Sequence, residues 1–207
     1  MIDTAFLITS FVTLFVIIDP IGLTPVFLAL TQGASPTERR SIALRATFTA
    51  MFLLALFALF GEAVLGFAGI SMAAFRVAGG ILLFLTALDM LFERRTKRRE
   101  HQGEEADKAE DPSVFPMSIP LIAGPGSIAT VILLAGQKPG FEGFALVMGV
   151  VVAVLVIMLM MFLVSGALER ILGKTGINVV TRLLGMLLAA LSVQFVLDGL
   201  RAFGFAN

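Results

Sequence analysis

The chain contains no cysteine, no tryptophan and no tyrosine, and His101 is its only histidine. Without cysteine the chain has no disulfide, no thiolate nucleophile and no zinc–thiolate site. A single histidine excludes a cluster of histidines around a metal, and the sequence has no HExxH, GxSxG or P-loop pattern. We therefore expect no metal or other cofactor, and we expect that the protein is not an enzyme.

Charge is also scarce. Only 14% of the 207 residues are charged and the formal net charge is zero, whereas a typical soluble domain has about 25% charged residues. Nothing therefore indicates a nucleic-acid partner. Apolar residues make up 58% of the chain, the mean hydropathy is +0.99, and several runs exceed the roughly 18 residues that indicate a membrane span. A soluble helical bundle would need polar helix faces, which are missing, so we predict an all-α membrane protein in a lipid bilayer.

The apolar residues fall into six segments, and the first one lacks the basic start of a cleaved signal peptide, so we expect it to be retained. The segments are 4–30, 42–67, 71–92, 115–135, 143–167 and 180–203. A hydrophilic stretch divides them, which predicts a three-helix unit at 1–92, a flexible charged cytoplasmic loop at 93–114 and a second three-helix unit at 115–207. Of the 15 Lys and Arg residues, only Arg76, Lys138 and Arg201 fall at the predicted outer ends. This bias places both termini outside, on the periplasmic side.

The two halves repeat each other. A shift of 105 residues aligns the first segment with the fourth, and a shift of 106 aligns the third with the sixth. The matched pairs are Pro20 with Pro125, Val26 with Val131, Gln32 with Gln137, Arg76 with Arg182, Gly79 with Gly185, and Thr86 with Ser192. Each half has an odd number of spans, so the halves must enter the membrane from opposite sides. Such inverted repeats occur in many secondary transporters, although channels also have them, and a duplication can simply build a stable bundle.

Helix-breaking residues interrupt the first segment of each half. The first break contains Pro20, Gly22 and Pro25, and the second lies at Gly124-Pro125-Gly126 after Pro116 and Pro120. Proline lacks a backbone donor and clashes with the preceding turn, so we expect both helices to unwind near their middles. Unwound backbone within a membrane needs protein or water to satisfy it. Paired breaks therefore predict one central binding site, although proline kinks that only improve packing are the alternative.

The breaks define a candidate substrate-binding set. Its members are Asp19, Pro20, Gly22, Thr24, Gly124, Pro125, Gly126 and Ser127. Freed amides can hold a carboxylate and freed carbonyls an ammonium, which suits a zwitterion such as an amino acid. Asp19 is a carboxylate inside a span, where an acid is a candidate functional group. It can pair with a substrate ammonium, take up a coupling proton, or cap the helix that restarts after the break.

Two matched pairs of polar residues lie on the third and sixth segments. Arg76 and Arg182 are candidates for a structural or coupling role, or they extend to the membrane interface. Thr86 and Ser192 can form hydrogen bonds across the bundle.

The two interrupted motifs resemble those of the MarC family of integral membrane proteins. The resemblance rests on Asp19-Pro20-Ile21-Gly22-Leu23-Thr24-Pro25 and on the stretch from Pro120 to Ile128, PLIAGPGSI. Length, six spans and the central charged loop also agree. Some members of that family are similar to transporters of small neutral amino acids such as glycine and alanine. The resemblance therefore implies such a substrate and a bacterial or archaeal cytoplasmic membrane.

Together these observations predict a secondary transporter of small neutral amino acids, with its site between the first and fourth helices. Proton and sodium coupling both stay open, as do the direction of transport and the oligomeric state. A passive channel for a small solute or ion, and a membrane scaffold that transports nothing, are the alternatives.

Overall fold

A computed structural model describes residues 4–95, 98, 111–138 and 140–205. The described residues are almost entirely helical and contain no strand. The helices are α1 (Thr4–Ile18), α2 (Pro20–Leu30), α3 (Pro36–Phe67), α4 (Met72–Leu91), α5 (Ser113–Ile122), α6 (Pro125–Ala135), α7 (Phe141–Leu163) and α8 (Ser165–Ala202). Most of the predicted charged loop, residues 96, 97 and 99–110, lies outside the described residues, and with it the predicted flexibility and His101.

Five stretches of the described chain are long and apolar enough to cross a membrane, and a bent helix pair makes a sixth. The five are Thr4–Leu30, Pro36–Phe67, Met72–Leu91, Phe141–Leu163 and Thr175–Ala202; the bent pair joins α5 and α6 at 56°. The predicted all-α membrane protein is thus confirmed, with five or six candidate spans.

Helix α3 begins at Pro36, earlier than the segment predicted at 42. Ser35 and Glu38 form a capping box, in which the Ser35 hydroxyl accepts from the Glu38 N–H and the Glu38 carboxylate accepts from the Ser35 N–H at 2.8 Å. Pro36 occupies the first helical position, where its missing N–H costs nothing. The cap therefore extends the helix over charged residues that hydropathy alone had excluded.

Helix α8 also begins earlier than predicted, at Ser165 rather than near 180. Gly173 interrupts it with a φ of 60°, a left-handed conformation that glycine adopts without the clash a β-carbon would cause. The chain turns there, and only Thr175–Ala202 qualifies as a span.

The interruption in the first span is narrower than we expected. Only Asp19 leaves helical angles, with φ 57° and ψ 64°, whereas Pro25 lies inside α2. Pro20 is the first residue of α2, a position that needs no donor. The predicted unwinding is therefore confined to one residue, at the point where Pro20 cannot donate to the preceding turn.

The irregular helix α5 has two non-helical residues, Phe115 (φ −124°, ψ 126°) and Ile119 (φ −125°, ψ 122°). Each precedes a proline, whose ring disfavours helical angles in the residue before it. The Ser118 hydroxyl donates to the Ala46 carbonyl of α3 at 3.0 Å and to the Ser113 carbonyl at 2.7 Å. The segment is thus held against α3 although its own helical ladder is incomplete.

Helices α4 and α8 form the most extensive helix pair. A β-carbon added at Gly80 would lie 2.8 Å from the Ser192 carbonyl oxygen, and one at Gly199 would lie 3.1 Å from the Ala73 carbonyl oxygen. Glycine thus lets the two backbones approach closely. Helix α2 packs on α8 and α7, α6 packs on α4 and α3, α1 packs on α7, and α5 packs on α3.

Candidate functional site

A cavity of about 270 Å³ lies where the two interrupted segments meet. Ile17, just before the first interruption, forms part of its wall, and Pro120, Leu121 and Gly124–Ser127 of the second form another part. Leu82 and Thr86 of α4, together with Arg95 and Arg98 beyond its end, complete the lining. Four of the eight predicted substrate-binding residues, Gly124, Pro125, Gly126 and Ser127, therefore share one cavity with Ile17, Leu82 and Thr86 of the other half.

Asp19 forms the start of α2. It is fully buried, and its Oδ1 accepts a hydrogen bond from the Gly22 N–H at 3.0 Å. A β-carbon at Gly22 would lie 2.2 Å from Asp19 Oδ2, so only glycine leaves room for the carboxylate here. Asp19 therefore acts as an N-cap, which was one of the three roles the sequence allowed. Ile17 lines the cavity, whereas Asp19 is not among the described residues that line it.

The other first-half candidates lie behind this cap. Pro20, Gly22 and Thr24 are buried, and the Thr24 hydroxyl donates to the Pro20 carbonyl at 3.0 Å. They shape the start of α2 but are not among the described residues that line the cavity.

The second interruption ends where α6 begins. Gly124 precedes α6 without a side-chain cap, and Pro125 takes the first helical position. The first N–H groups of a helix have no carbonyl partner within it and give that end a partial positive charge. Because Gly124, Pro125, Gly126 and Ser127 line the cavity, the N-terminus of α6 borders it. The Ser127 hydroxyl donates to the Ile122 carbonyl at 2.6 Å and to the Gly124 carbonyl at 3.0 Å, so it fixes the turn.

Gly126 brings the two interruptions together. A β-carbon added there would lie 2.9 Å from Ile17 Cδ1 and 3.0 Å from Ile17 Cγ1. At Gly124 an added β-carbon would lie 2.4 Å from the Pro120 carbonyl oxygen, within the same turn. A side chain at position 126 would therefore push on the wall formed by the first half.

Arg95 joins this site, and the sequence-based prediction missed it. One guanidinium nitrogen donates to the Ile17 carbonyl and another approaches Met90 Sδ at 3.1 Å. In a regular helix the Ile17 carbonyl would accept a hydrogen bond from the backbone N–H four residues later in the chain, and Asp19 lies between the two. The only sequence signal was the basic run that follows α4, which served to assign the cytoplasmic side.

Two arginines, Arg95 and Arg98, line the cavity. Arg98 pairs with Asp89, whereas none of the described residues that line the cavity is acidic. Arg95 and the N-terminus of α6 border the same space.

The two matched polar pairs, Thr86 with Ser192 and Arg76 with Arg182, have members in different environments. The Thr86 hydroxyl donates to the Leu82 carbonyl at 2.9 Å, and Thr86 lines the cavity. Ser192 is buried elsewhere and donates to the Ala189 carbonyl at 2.7 Å. Arg182 pairs with Glu93 at 2.8 Å, outside the described lining. Arg76 Nε is buried and has no hydrogen-bond partner among the described residues.

Comparison with known proteins shows which protein family the chain belongs to. The model of the MarC family, described as a family of integral membrane proteins, matches residues 4–203. The chain belongs to the MarC family. A UPF0056 membrane protein of Bacillus subtilis, YvbG, is 39% identical over 200 residues, which cover 95% of each chain. Another UPF0056 membrane protein, from Methanocaldococcus jannaschii, is 35% identical over 201 residues, covering 96% of this chain and 98% of its own.

Both relatives carry names that state membrane location and no activity. No solved structure is significantly similar to this MarC-family chain. The comparisons therefore establish family membership and an integral membrane protein, and the function must be argued from the site.

Proposed function

We propose that this protein is a secondary transporter of small neutral amino acids such as alanine and glycine, in the cytoplasmic membrane, with both termini outside. One observation carries the proposal: a single cavity is lined by Ile17 next to the first interruption and by Gly124–Ser127 of the second. Interrupted helices in corresponding positions of two halves are typical of transporter binding sites.

The packing of the helices supports two inverted repeats. Helices α2 (Pro20–Leu30) and α6 (Pro125–Ala135) have the same length, and each starts with a proline. Their bounds differ by the 105-residue shift found in the sequence. Three contacts also occur in matched form, since α2 packs on α8 as α6 does on α4, α3 packs on α6 as α7 does on α2, and α1 packs on α7 as α5 does on α3.

The size and polarity of the cavity support a small solute. Its volume of about 270 Å³ is below the roughly 300–1,000 Å³ of sites for drug-sized ligands. The N-terminus of α6 offers amides to a carboxylate, and the carbonyls of the two interruptions offer acceptors to an ammonium. A solute that carries both groups and a small side chain fits this combination.

Uptake of labelled alanine and glycine by proteoliposomes tests the proposal. We expect saturable uptake that an imposed proton gradient or sodium gradient drives uphill. Uptake that neither saturates nor accumulates against a gradient would indicate a passive channel instead. No flux of either amino acid with folded protein would overturn the proposed substrate and favour a scaffold.

The Asp19→Asn variant distinguishes a role of Asp19 in ion or substrate coupling from its role as the N-cap of α2. Asparagine is as good an N-cap as aspartate but cannot titrate, so the variant should remain as stable as the parent. Loss of uphill uptake would then assign a proton or an ammonium to Asp19. Unchanged uptake would show that transport does not need the Asp19 charge, and it would still leave the transporter in place.

A further inference from the structure

A second cavity, of about 260 Å³, lies at the end of the bundle where α3 begins and α7 ends. Its described lining consists of Ala34, Pro36, Arg39, Arg40 and Leu163, and we call it the basic cavity. It shares none of these residues with the cavity between the two interruptions. The distribution of Lys and Arg predicts that this end of the bundle faces the cytoplasm.

Arg39 is half-buried in the basic cavity and has an unpaired donor there. One terminal nitrogen of its guanidinium donates to the carbonyl of Thr31, the C-cap of α2, at 3.3 Å. The Arg39 Nε is buried and has no hydrogen-bond partner among the described residues. A guanidinium offers five N–H donors, and a buried donor without an acceptor is costly. An acceptor that enters the basic cavity would therefore lower the free energy of the folded protein.

Neither arginine of the basic cavity forms an ion pair with a described residue. Arg45, further along α3, pairs with Asp111 at 2.7 Å, whereas Arg39 and Arg40 have no such partner in the described ranges. The acid next to them in the chain, Glu38, is not part of the described lining, and its carboxylate accepts a backbone N–H of the capping box at 2.8 Å. The described wall of the basic cavity thus contains two guanidinium groups and no carboxylate.

Phosphate is the anion that suits two neighbouring guanidinium groups. The N–H fork of arginine forms parallel, charge-assisted hydrogen bonds with two phosphate oxygens. Such bonds are roughly twice as strong as those between neutral groups. A phosphate in the basic cavity would therefore gain bonds from Arg39 and Arg40 without displacing a carboxylate of the described lining.

Apolar side chains at the edge of the basic cavity point to the source of this phosphate. Leu163, which lines it, is 50% exposed, and Val164, the next residue, is 55% exposed. A free phosphate ion gains nothing from these side chains, whereas the acyl chains of a lipid can bury them. The cytoplasmic leaflet is also the one whose anionic lipids attract basic residues, and basic pockets between spans bind lipid headgroups there.

We propose that Arg39 and Arg40 bind the phosphate of an anionic phospholipid of the cytoplasmic leaflet, with its acyl chains against Leu163 and Val164. The inference does not rest on the proposed transport function, because the basic cavity is separate from the cavity between the interruptions. The lipid would hold together the end of α2, the start of α3 and the end of α7.

Lipid binding to the full-length protein in neutral detergent, measured by native mass spectrometry, tests the proposal with three probes. Phosphatidylglycerol has acyl chains and an anionic headgroup, phosphatidylcholine has the same chains and a zwitterionic headgroup, and inorganic phosphate has no chains. We expect phosphatidylglycerol to bind about tenfold or more tightly than phosphatidylcholine. Excess inorganic phosphate at constant ionic strength should not displace it. Equal affinity for the two lipids, or displacement by inorganic phosphate, would overturn the proposed lipid site.

Arg40→Ala tests the site without disturbing the fold, because Arg40 is exposed and forms no hydrogen bond with a described residue. It should weaken phosphatidylglycerol by about tenfold or more, the scale of a lost hydrogen bond between charged groups. Arg94→Ala removes the same charge from an exposed arginine outside the described lining and should change nothing. Equal affinities in Arg40→Ala, Arg94→Ala and the parent would overturn the proposal.

Arg39→Lys tests the buried donor. Lysine keeps the charge but lacks the Nε–H and the planar fork, so we expect an affinity for phosphatidylglycerol between those of the parent and Arg39→Ala. The thermal unfolding midpoint, measured for each variant, shows whether loss of the bond to Thr31 unfolds the protein. An affinity of folded Arg39→Lys equal to that of the parent would reject the Arg39 Nε as a phosphate donor.

Discussion

At the residue scale, one carboxylate and one glycine define the start of α2. Asp19 takes a left-handed conformation and accepts from the Gly22 N–H at 3.0 Å. Gly22 has no side chain, so the carboxylate can lie over its backbone. The aspartate and the glycine of the Asp-Pro-x-Gly motif therefore depend on each other, and hydropathy alone does not explain why either residue is present.

Gly22→Ala tests this interdependence. The new β-carbon would lie 2.2 Å from Asp19 Oδ2, so the carboxylate must move and the cap is lost. We expect the free energy of unfolding to fall by about 0.5–2 kcal/mol, the range found when an N-cap is lost. Gly149→Ala is the matched control, because nothing lies within 4 Å of its added β-carbon. Equal unfolding midpoints for Gly22→Ala and the parent would contradict the packing described.

Asp111 gives a second residue-scale prediction, outside the spans. The Ser113 hydroxyl donates to it at 2.7 Å and lowers the pKa of its carboxyl, with help from the Ser113 N–H and Arg45, while burial opposes the shift. A lowered folded pKa stabilises the protein above the unfolded pKa of about 3.9, and the stabilisation is lost as the pH falls through the folded value.

Ser113→Ala should therefore be less stable than the parent at neutral pH, with a difference that narrows below about pH 4. Thermal unfolding midpoints of the two proteins across this range check the prediction. A difference that stays constant would mean that the Ser113 hydroxyl stabilises the fold without acting on the Asp111 carboxyl.

At the element scale, the contact between α4 and α8 depends on glycine. A β-carbon at Gly80 would lie 2.8 Å from the Ser192 carbonyl oxygen and 3.0 Å from the Val196 nitrogen. Backbone atoms cannot rotate away as side chains do, so the helices themselves must separate.

We therefore expect Gly80→Ala to lower the free energy of unfolding by about 1–3 kcal/mol through overpacking. Gly66→Ala, where nothing lies within 4 Å of the added β-carbon, controls for the change of residue type. A stable Gly80→Ala protein would show that α4 and α8 can separate without loss of packing.

The elements also show which parts of the fold could be predicted from the sequence. The apolar segments predicted the membrane spans, because insertion of a helix into the bilayer depends on the hydropathy averaged over the whole helix. The paired prolines and glycines predicted where α2 and α6 begin, because proline cannot continue the preceding helix and glycine lets the backbone leave helical angles. Pro25 was predicted to unwind its helix, yet it lies inside α2. Arg95 could not be found at all, because its partner Ile17 is distant in sequence and its reach depends on the tertiary fold.

At the scale of the whole molecule, the predicted orientation can be read from single cysteines in a chain that has none. Cysteines at Gly69 and Phe205 should react from outside with a membrane-impermeant reagent in right-side-out vesicles. Cysteines at Ala34 and Arg94 should react only after permeabilisation. The opposite pattern would invert the orientation that the distribution of Lys and Arg predicts.

The central claim is that the cavity between the two interruptions holds the transported amino acid, and Thr86→Cys tests it most directly. Thr86 lines the cavity, so saturating alanine should slow the reaction of this thiol with a small membrane-permeant reagent. Arg94→Cys, exposed outside the described lining, should react at the same rate with or without alanine. The predicted result is protection of position 86 and not of position 94, with half-maximal protection at the alanine concentration that half-saturates uptake. Alanine uptake with no protection at position 86 would contradict the account and place the substrate elsewhere.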